Sequence, residues 1–220
     1  MENILNFLSA LKKHNNREWF NDNRKWYEES REKMLFYTEV FINEIRKFDS
    51  DIPVMDPREC LFRIFRDIRF SKDKRPYKTN MGSFIARGGR KSTRAGYYFH
   101  IEPAGSFAGG GIYMPPAEPL KAIRQAIFET PGEYLALTEN KKFKKIFTEF
   151  HGEKLKTAPK GFPKDFEHIS LLQPKSYAFG HQIDESVLKG EDFIKETVSV
   201  FRELSPANRF LNDALDSYLK

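Results

Sequence analysis

Residues 96–114 read GYYFHIEPAGSFAGGGIYM, and this stretch decides the fold class. Gly96–Glu102 and Phe107–Met114 are each typical of a β-strand, and only four residues separate them. Strands joined by so short a connection are antiparallel, because a parallel crossover needs about a dozen residues or more. The stretch therefore predicts two neighbouring antiparallel strands at the centre of the chain.

Two further strands are predicted upstream of this pair, over Leu61–Phe70 and Thr79–Arg87. In the first, large apolar residues recur at alternate positions, which is the period of a strand with one buried face. The exception is Arg66, which lies between Ile64 and Ile68 on that face. Together the four strands predict an antiparallel β-meander.

Helices are predicted on both sides of the meander. Before it, apolar residues from Trp19 to Phe48 recur at helical spacing, and a helix is expected to begin near Asn16. After it, Thr130–Glu133 has the form of a capping box, and Ser205-Pro206 is expected to open a last helix.

One more strand is predicted near the end of the chain, where Ser176–Ile183 would form the edge of the sheet. The expected fold class is then α+β, with a central antiparallel β-meander packed against N-terminal and C-terminal helices.

Size and composition favour a single domain over residues 1–220. The chain has 220 residues, of which 40% are hydrophobic, so it can enclose one full core. It shows no repeat, no targeting sequence and no apolar run near the roughly 20 residues of a membrane span. We therefore expect a cytoplasmic protein with no membrane partner. Cys60 is the only cysteine, which excludes an internal disulfide, and we expect it to be a buried, inert thiol.

Positive charge is concentrated in residues 58–94. This segment holds twelve Lys and Arg against three acids, a surplus of nine, whereas the whole chain has a net charge of +6. The rest of the chain is therefore slightly acidic. Local basicity of this kind indicates an anion site rather than a generally basic surface.

Arg66 needs a partner, because a guanidinium on an otherwise apolar face is costly when it is unpaired. One alternative is a carboxylate of the fold, from Asp67, Asp73 or Glu102. The other is the anionic group of a ligand, which the planar fork of an arginine can bind with two parallel hydrogen bonds. The local surplus of positive charge favours the ligand.

Tyr98, His100 and Glu102 occupy alternate positions of a predicted strand and therefore share one face. That face offers a general base or proton shuttle, for which His100 is the candidate, and Asp67 is a second candidate for proton transfer. His100 and Glu102, with Asp67 and Asp73, would also suit a hard divalent cation, but their spacing matches no defined metal motif. We therefore assign no metal, and the sequence identifies no cofactor.

Two weaker signals lie elsewhere in the chain. Gly109–Gly111 falls inside a strand pattern, where glycine marks either close packing, here of an aromatic such as Tyr98 across the sheet, or contact with a ligand. Gly110 is a ligand-binding candidate on the second interpretation. Lys160, in the sequence Lys160-Gly161-Phe162, could add a cation from a second loop.

Residues 63–79 read RIFRDIRFSKDKRPYKT and resemble the motif of the domain of unknown function 2461 family, an uncharacterised and mainly bacterial group. The signature of that family is RxxRDxRF followed by an Asp-Lys pair and a Tyr, and this chain matches it without departure. Further matches are NNREWF at 15–20, YYFHIEP at 97–103, SFAGGG at 106–111, LK at 155–156, PKGF at 159–162 and FLN at 210–212. The resemblance covers essentially the whole chain. It implies a single α+β domain of bacterial type and supplies no activity.

The leading hypothesis for function is the binding of a phosphate-bearing or other anionic small molecule in a basic pocket. The candidate ligand-binding residues are Arg63, Arg66, Arg69, Lys74, Tyr77, Lys78, Tyr98, Glu102, Gly110 and Lys160. The sequence does not decide whether the protein is an enzyme. If it is one, phosphoryl or phosphodiester chemistry fits best, because Arg and Lys neutralise charge at phosphorus while His100 or Asp67 handles protons.

Two alternatives from other classes stay open. The first is a nucleic-acid-binding protein, in which the basic residues follow a backbone and Phe65, Phe70 or Tyr77 stack on bases. The second is a structural or protein-interaction domain, in which the Arg motif serves as a buried salt-bridge network.

Overall fold

The computed structural model describes residues 1–150 and 152–218 and confirms the α+β class. The helices are α1 (Glu2–Lys13), α2 (Arg17–Asp22), α3 (Arg24–Ile45), α4 (Pro57–Cys60), α5 (Ala117–Glu129), α6 (Pro131–Thr138), α7 (Lys141–Ile146), α8 (Ile169–Leu172), α9 (Glu185–Lys189) and α10 (Phe193–Tyr218). The strands are β1 (Met81–Ile85), β2 (Gly96–Ile101), β3 (Phe107–Ile112), β4 (Glu149–Phe150) and β5 (Tyr177–Gln182). Within the described residues, no helix is both long enough and apolar enough to cross a membrane.

The sheet has the strand order β1-β2-β3-β5-β4, and the antiparallel meander of β1, β2 and β3 is confirmed. β5 was expected at the edge of the sheet, and this prediction is wrong. Its outer side is covered by β4, which pairs with it antiparallel, with Glu149 opposite Gly180 and Phe150 opposite Phe179. A strand of two residues has too little pattern to be predicted from the sequence.

The strand predicted over Leu61–Phe70 does not form. This segment makes only isolated bridges, between Leu61 and Ser83 and between Phe65 and Tyr77. Residues 62–78 instead form an irregular hairpin, which we call the basic hairpin. Two backbone hydrogen bonds hold it, from the amide of Arg66 to the carbonyl of Pro76 and from the amide of Lys78 to the carbonyl of Ile64.

The physical reason for the irregular hairpin is local. The carboxylates of Asp67 and Asp73 accept hydrogen bonds from the backbone amides two residues later, those of Arg69 and Arg75. Such side-chain bonds offer the backbone an alternative to a strand ladder and turn it. The supposed apolar face does not form as a result, since Phe70 is exposed.

The helix boundaries were predicted in part. Asn16 does cap a helix, because its side chain accepts a hydrogen bond from the amide of Trp19, but Asn23 divides the expected single helix into α2 and α3. α6 begins at Pro131 as expected. The last helix does not begin at Ser205-Pro206, because α10 runs from Phe193 through Pro206 to Tyr218. Its buried residues Leu204, Ala207 and Leu211 continue on both sides of the proline.

The chain forms two compact units, each made of three segments. The first unit contains Met1–Arg90, Tyr98–Ala108 and Gln182–Val198, and the second contains Lys91–Tyr97, Gly109–His181 and Ser199–Lys220. In the core of the first unit, the ring of Phe41 on α3 meets the ring of Phe99 on β2 edge-on, with centroids 4.8 Å apart. Phe193 packs against both rings. An N-terminal helix therefore packs on the sheet in this unit.

In the second unit, α10 packs on the start of β2. The ring of Tyr97 lies 5.5 Å from that of Phe201, and the side-chain amide of Asn208 donates to the carbonyl of Gly96. The side chain of Asn212 binds both the amide and the carbonyl of Ala95. The predicted packing of a C-terminal helix on the sheet is therefore also present.

We propose that the two units fold together as the single domain expected from the sequence. β2, β3 and β5 each contain residues of both units, so neither unit has a complete set of strands without the other. Differential scanning calorimetry should show one transition, with equal calorimetric and van't Hoff enthalpies. Two resolved transitions would contradict the proposal.

Candidate functional site

The basic hairpin is braced by two carboxylates. Asp67 binds the guanidinium of Arg69 through two hydrogen bonds of 2.9 and 2.7 Å. Asp73 binds Arg75 with bonds of 2.7 to 3.1 Å and also makes a close ion pair with Arg66. Asp67 therefore binds one arginine of the hairpin, and Asp73 binds two.

These contacts keep both acids ionised. The pKa of Asp73 lies far below its ordinary range because its carboxylate accepts hydrogen bonds from Arg75 and then from Arg66. The pKa of Asp67 is lowered chiefly by its hydrogen bonds from Arg69. Asp67, which the sequence offered as a candidate for proton transfer, is engaged by the guanidinium of Arg69.

The alternative for Arg66 that the structure supports is a carboxylate of the fold. Of the three acids considered, Asp73 is the partner, and the Arg66 side chain is 25% exposed rather than fully buried. Arg66, Arg69 and Arg75 thus have acidic partners within the hairpin. For these three residues, the motif forms a salt-bridge network, but it is not the buried network of the structural alternative, since the side chains of Arg69 and Arg75 are 76% and 53% exposed.

Four cations of the hairpin remain outside this network. Within the part of the chain that the structure describes, no carboxylate lies at ion-pair distance from Arg63, Lys72, Lys74 or Lys78. Lys74 donates instead to the carbonyl of Ile68, at 3.1 Å. The hairpin therefore carries the surplus of positive charge that the sequence indicated. The cations without an acidic partner are these four residues, and not Arg66 or Arg69.

Lys78 lies in an environment that is unfavourable to its positive charge. This residue is half-buried, and its ammonium nitrogen lies 5.5 Å from the centroid of the Phe62 ring. The pKa of Lys78 is lowered, first by burial and then by the positive charge of Arg63. The aromatic face offsets only a part of this cost. An anionic partner would stabilise the ammonium.

Tyr98, His100 and Glu102 form a hydrogen-bonded row on β2. The hydroxyl of Tyr98 lies 3.0 Å from Nδ1 of His100, and Nε2 of His100 lies 3.4 Å from Oε2 of Glu102. The other carboxylate oxygen of Glu102 accepts a hydrogen bond from the hydroxyl of Thr79, at 3.1 Å. The expectation that three alternate residues share one face agrees with these contacts.

The row is held firmly in place. The His100 ring stacks on Phe107 with centroids 4.8 Å apart, and the Ser106 hydroxyl bonds both the amide and the carbonyl of Glu102. Burial, with a smaller contribution from the charge of Glu102, raises the pKa of Tyr98 to about 12. The Tyr98 phenol is therefore neutral at physiological pH.

Gly82 makes room for the Tyr98 side chain, whereas the sequence suggested Gly109–Gly111 for this role. A Cβ atom on Gly82 would lie 2.5 Å from the Tyr98 hydroxyl oxygen. Gly110 meets backbone instead, since a Cβ there would lie 2.0 Å from the carbonyl oxygen of Gly96. The close approach of strands accounts for Gly110 without a ligand.

The remaining candidates have separate environments. Tyr77 is buried, its ring stacks on Phe20 at 4.0 Å, and its backbone amide and carbonyl both bind the side chain of Asn15. It anchors the hairpin. Gly110 and Lys160 belong to the second unit, where Lys160 lies exposed in a turn.

The ring of Phe62 connects Lys78 to the row, because it lies 6.1 Å from the ring of Tyr98. Phe62 and Thr79 were not among the site residues named from the sequence. Phe62 is one of the alternate apolar residues of the strand predicted over Leu61–Phe70, which does not form. Thr79 could have been found from its position opposite the Tyr98–Glu102 face in a meander.

The described residues contain no group of three or more His, Cys, Asp or Glu side chains that could hold a metal ion. Cys60 is buried, and burial raises the pKa of its thiol to about 12, so its reactive thiolate form is disfavoured. Through the Phe62 ring, the Lys78 ammonium is connected to a row that offers a neutral phenol, an imidazole and a carboxylate.

Comparison with known proteins gives a family and no activity. A family model described as "Conserved hypothetical protein (DUF2461)" matches residues 3–210. No curated protein and no solved structure matches the chain. The match covers the basic hairpin, β2 and nearly all of the remaining chain.

The bracing of the hairpin by Asp73 can be tested by hydrogen exchange. In Asp73→Asn, the amides of Arg66 and Lys78 should exchange several-fold faster, because the variant has no charged partner for two arginines. Asp67→Asn is the control, since Asp67 holds Arg69 alone, and it should leave these amides protected. Equal protection in Asp73→Asn and the wild type would show that the backbone bonds alone hold the hairpin.

Proposed function

Because this chain belongs to the DUF2461 family of conserved hypothetical proteins, whose description names no activity, we propose a function from its own residues. The protein binds a phosphate-bearing or other anionic small molecule. The binding surface, which we call the Lys78 site, consists of Phe62, Arg63, Lys78, Thr79, Tyr98, His100 and Glu102.

The observation that carries this proposal is the state of Lys78. A half-buried ammonium group beside a second cation, with its pKa lowered and no carboxylate at ion-pair distance among the described residues, is unfavourable in the free protein. An anion bound to Lys78 and Arg63 would supply the missing charge. The free protein therefore contains an electrostatic cost that such a ligand would relieve.

The rest of the site limits the kind of ligand. The Glu102 carboxylate is 30% exposed and would repel a second anionic group, whereas it can accept a hydrogen bond from a hydroxyl or amine. The Phe62 ring supplies an apolar surface next to the ammonium. These features favour a molecule with one anionic end and a neutral body that carries hydrogen-bond donors.

A reaction at this site would depend on His100. Its two ring nitrogens face Tyr98 and Glu102, so a proton could pass along the row, whereas Asp67 is engaged by Arg69. Phosphoryl or phosphodiester chemistry is the reaction class that fits the cations. The function that we propose is ligand binding. We also propose the cytoplasmic location that the sequence led us to expect.

Inorganic phosphate, followed by isothermal titration calorimetry, tests the Lys78 site. The wild type should bind phosphate with a millimolar Kd or better, on the order of −4 kcal/mol. Lys78→Gln should weaken binding about tenfold or more, because a hydrogen bond to a charged group contributes roughly 1.5–3 kcal/mol. Lys25→Gln removes the same charge from an exposed position on α3, outside the hairpin, and should leave binding unchanged. If phosphate does not bind, or if both variants bind it equally weakly, the proposal fails.

The cost of the Lys78 charge predicts an unusual gain in stability. Because the pKa of Lys78 is lower in the folded than in the unfolded protein, its charge destabilises the fold at neutral pH, and the penalty disappears as the pH rises past 10.5, the ordinary value. Lys78→Met should therefore raise the Tm of the ligand-free protein at neutral pH, by about 1–2 °C given partial screening by water.

The gain should shrink as the pH approaches the ordinary pKa of lysine. Lys72→Met is the matched control, since Lys72 is exposed and its charge carries no such penalty. A lower Tm for Lys78→Met at neutral pH would mean that the charged form stabilises the folded protein.

A further inference from the structure

Phe70, at the tip of the basic hairpin, is the most exposed large apolar side chain of the described residues. The residue is 95% exposed, and the guanidinium of Arg69 lies 5.8 Å from the centroid of its ring. Phe65 and Phe62 follow on the same hairpin with 48% and 37% exposure. Rings of this size usually bury most of their surface, so three on one hairpin indicate a binding surface.

The tip is preorganised by its own ion pairs. Phe70 lies between the turn held by Asp67 and the turn held by Asp73. Both carboxylates bind arginines of the same loop, so the ring is presented by a braced loop. Preorganisation of this kind reduces the conformational entropy cost of binding.

The charge around Phe70 is positive after these pairs are counted. Residues 63–78 contain seven basic and two acidic residues, a surplus of five. Both acids are engaged by arginines, while Lys72 and Lys74 are exposed and have no carboxylate at ion-pair distance in the described chain. Two cations therefore follow the exposed ring within four residues of the chain.

We propose that the hairpin tip binds single-stranded nucleic acid, with a base stacked on Phe70 and phosphates beside Lys72 and Lys74. Cations interleaved with aromatic rings are complementary to a polymer in which charged phosphates alternate with flat bases. A duplex would not use the ring, because its bases are stacked on one another. The residues proposed to bind here, Phe70, Lys72 and Lys74, are not among those of the Lys78 site, which the proposed function concerns.

An anionic lipid surface is the competing occupant, and the ion pairs argue against it. Insertion of Phe70 into a membrane would take the adjacent Arg69–Asp67 pair out of water, which costs free energy. A base that stacks on the solvent-exposed side of the Phe70 ring leaves the Arg69–Asp67 ion pair in water. The structure therefore favours a nucleic acid.

Fluorescence anisotropy with a labelled oligothymidylate of about 12 nucleotides tests the proposal at low salt. The wild type should bind, and Phe70→Ala should weaken binding about fivefold or more, because stacking of one base contributes roughly 1–3 kcal/mol. Phe36→Ala is the matched control, since Phe36 on α3 is 58% exposed and lies outside the hairpin. It should bind like the wild type.

The salt dependence tests the two lysines separately. The logarithm of the binding constant should fall linearly with the logarithm of the salt concentration. The double variant Lys72→Gln with Lys74→Gln should have a slope that is smaller by about 0.7 for each phosphate that its lysines no longer neutralise. Phe70→Ala should leave the slope unchanged, because it removes stacking and no charge.

Three results would overturn the inference. They are no binding of the oligonucleotide, equal binding by Phe70→Ala and the wild type, and Phe70-dependent binding to vesicles containing phosphatidylglycerol without binding to the oligonucleotide. Phosphate titration of Phe70→Ala keeps the two proposals apart. If this variant matches the wild type in binding both phosphate and the oligonucleotide, the proposal that the hairpin tip binds nucleic acid is rejected, whereas the proposal that the Lys78 site binds an anion is unaffected.

Discussion

The ion pairs of Asp73 with Arg66 and Arg75 are the interaction on which the basic hairpin depends. One carboxylate joins residues on either side of the loop, and its pKa is lowered accordingly. Because this acid and Asp67 are used inside the loop, they cannot neutralise the other cations. The same ion pairs that shape the hairpin therefore leave Arg63 and Lys78 without an acidic partner. The shape of the hairpin and the anion binding that we propose for it thus depend on the same ion pairs.

Much of the fold could be predicted where the pattern of residues is regular and local. The short connection between β2 and β3 determines their antiparallel pairing, and the row on β2 follows from alternation alone. The failures have local physical causes. Asp67 and Asp73 bend a segment whose apolar period is that of a strand, and α10 continues through Pro206 because its buried stripe continues.

The candidate site could be predicted as a region and not as a set of neighbouring side chains. Net charge identified residues 58–94, but it could not decide which cations are neutralised, because that depends on how the loop closes. Arg66 received the most weight from the sequence and proved to have an acid of the fold. Lys78 received less weight, although its environment is the least favourable to its charge.

The position of Lys78 follows from the residue before it. The side chain of Asn15 binds both backbone groups of Tyr77, and the Tyr77 ring stacks on Phe20 in the core. In an extended segment, successive side chains point to opposite faces, so fixing Tyr77 inward directs Lys78 away from that core and toward Phe62. An aromatic stack and one amide side chain therefore hold the ammonium in a place that is unfavourable for it. This is the arrangement expected where a side chain is positioned for binding rather than for packing.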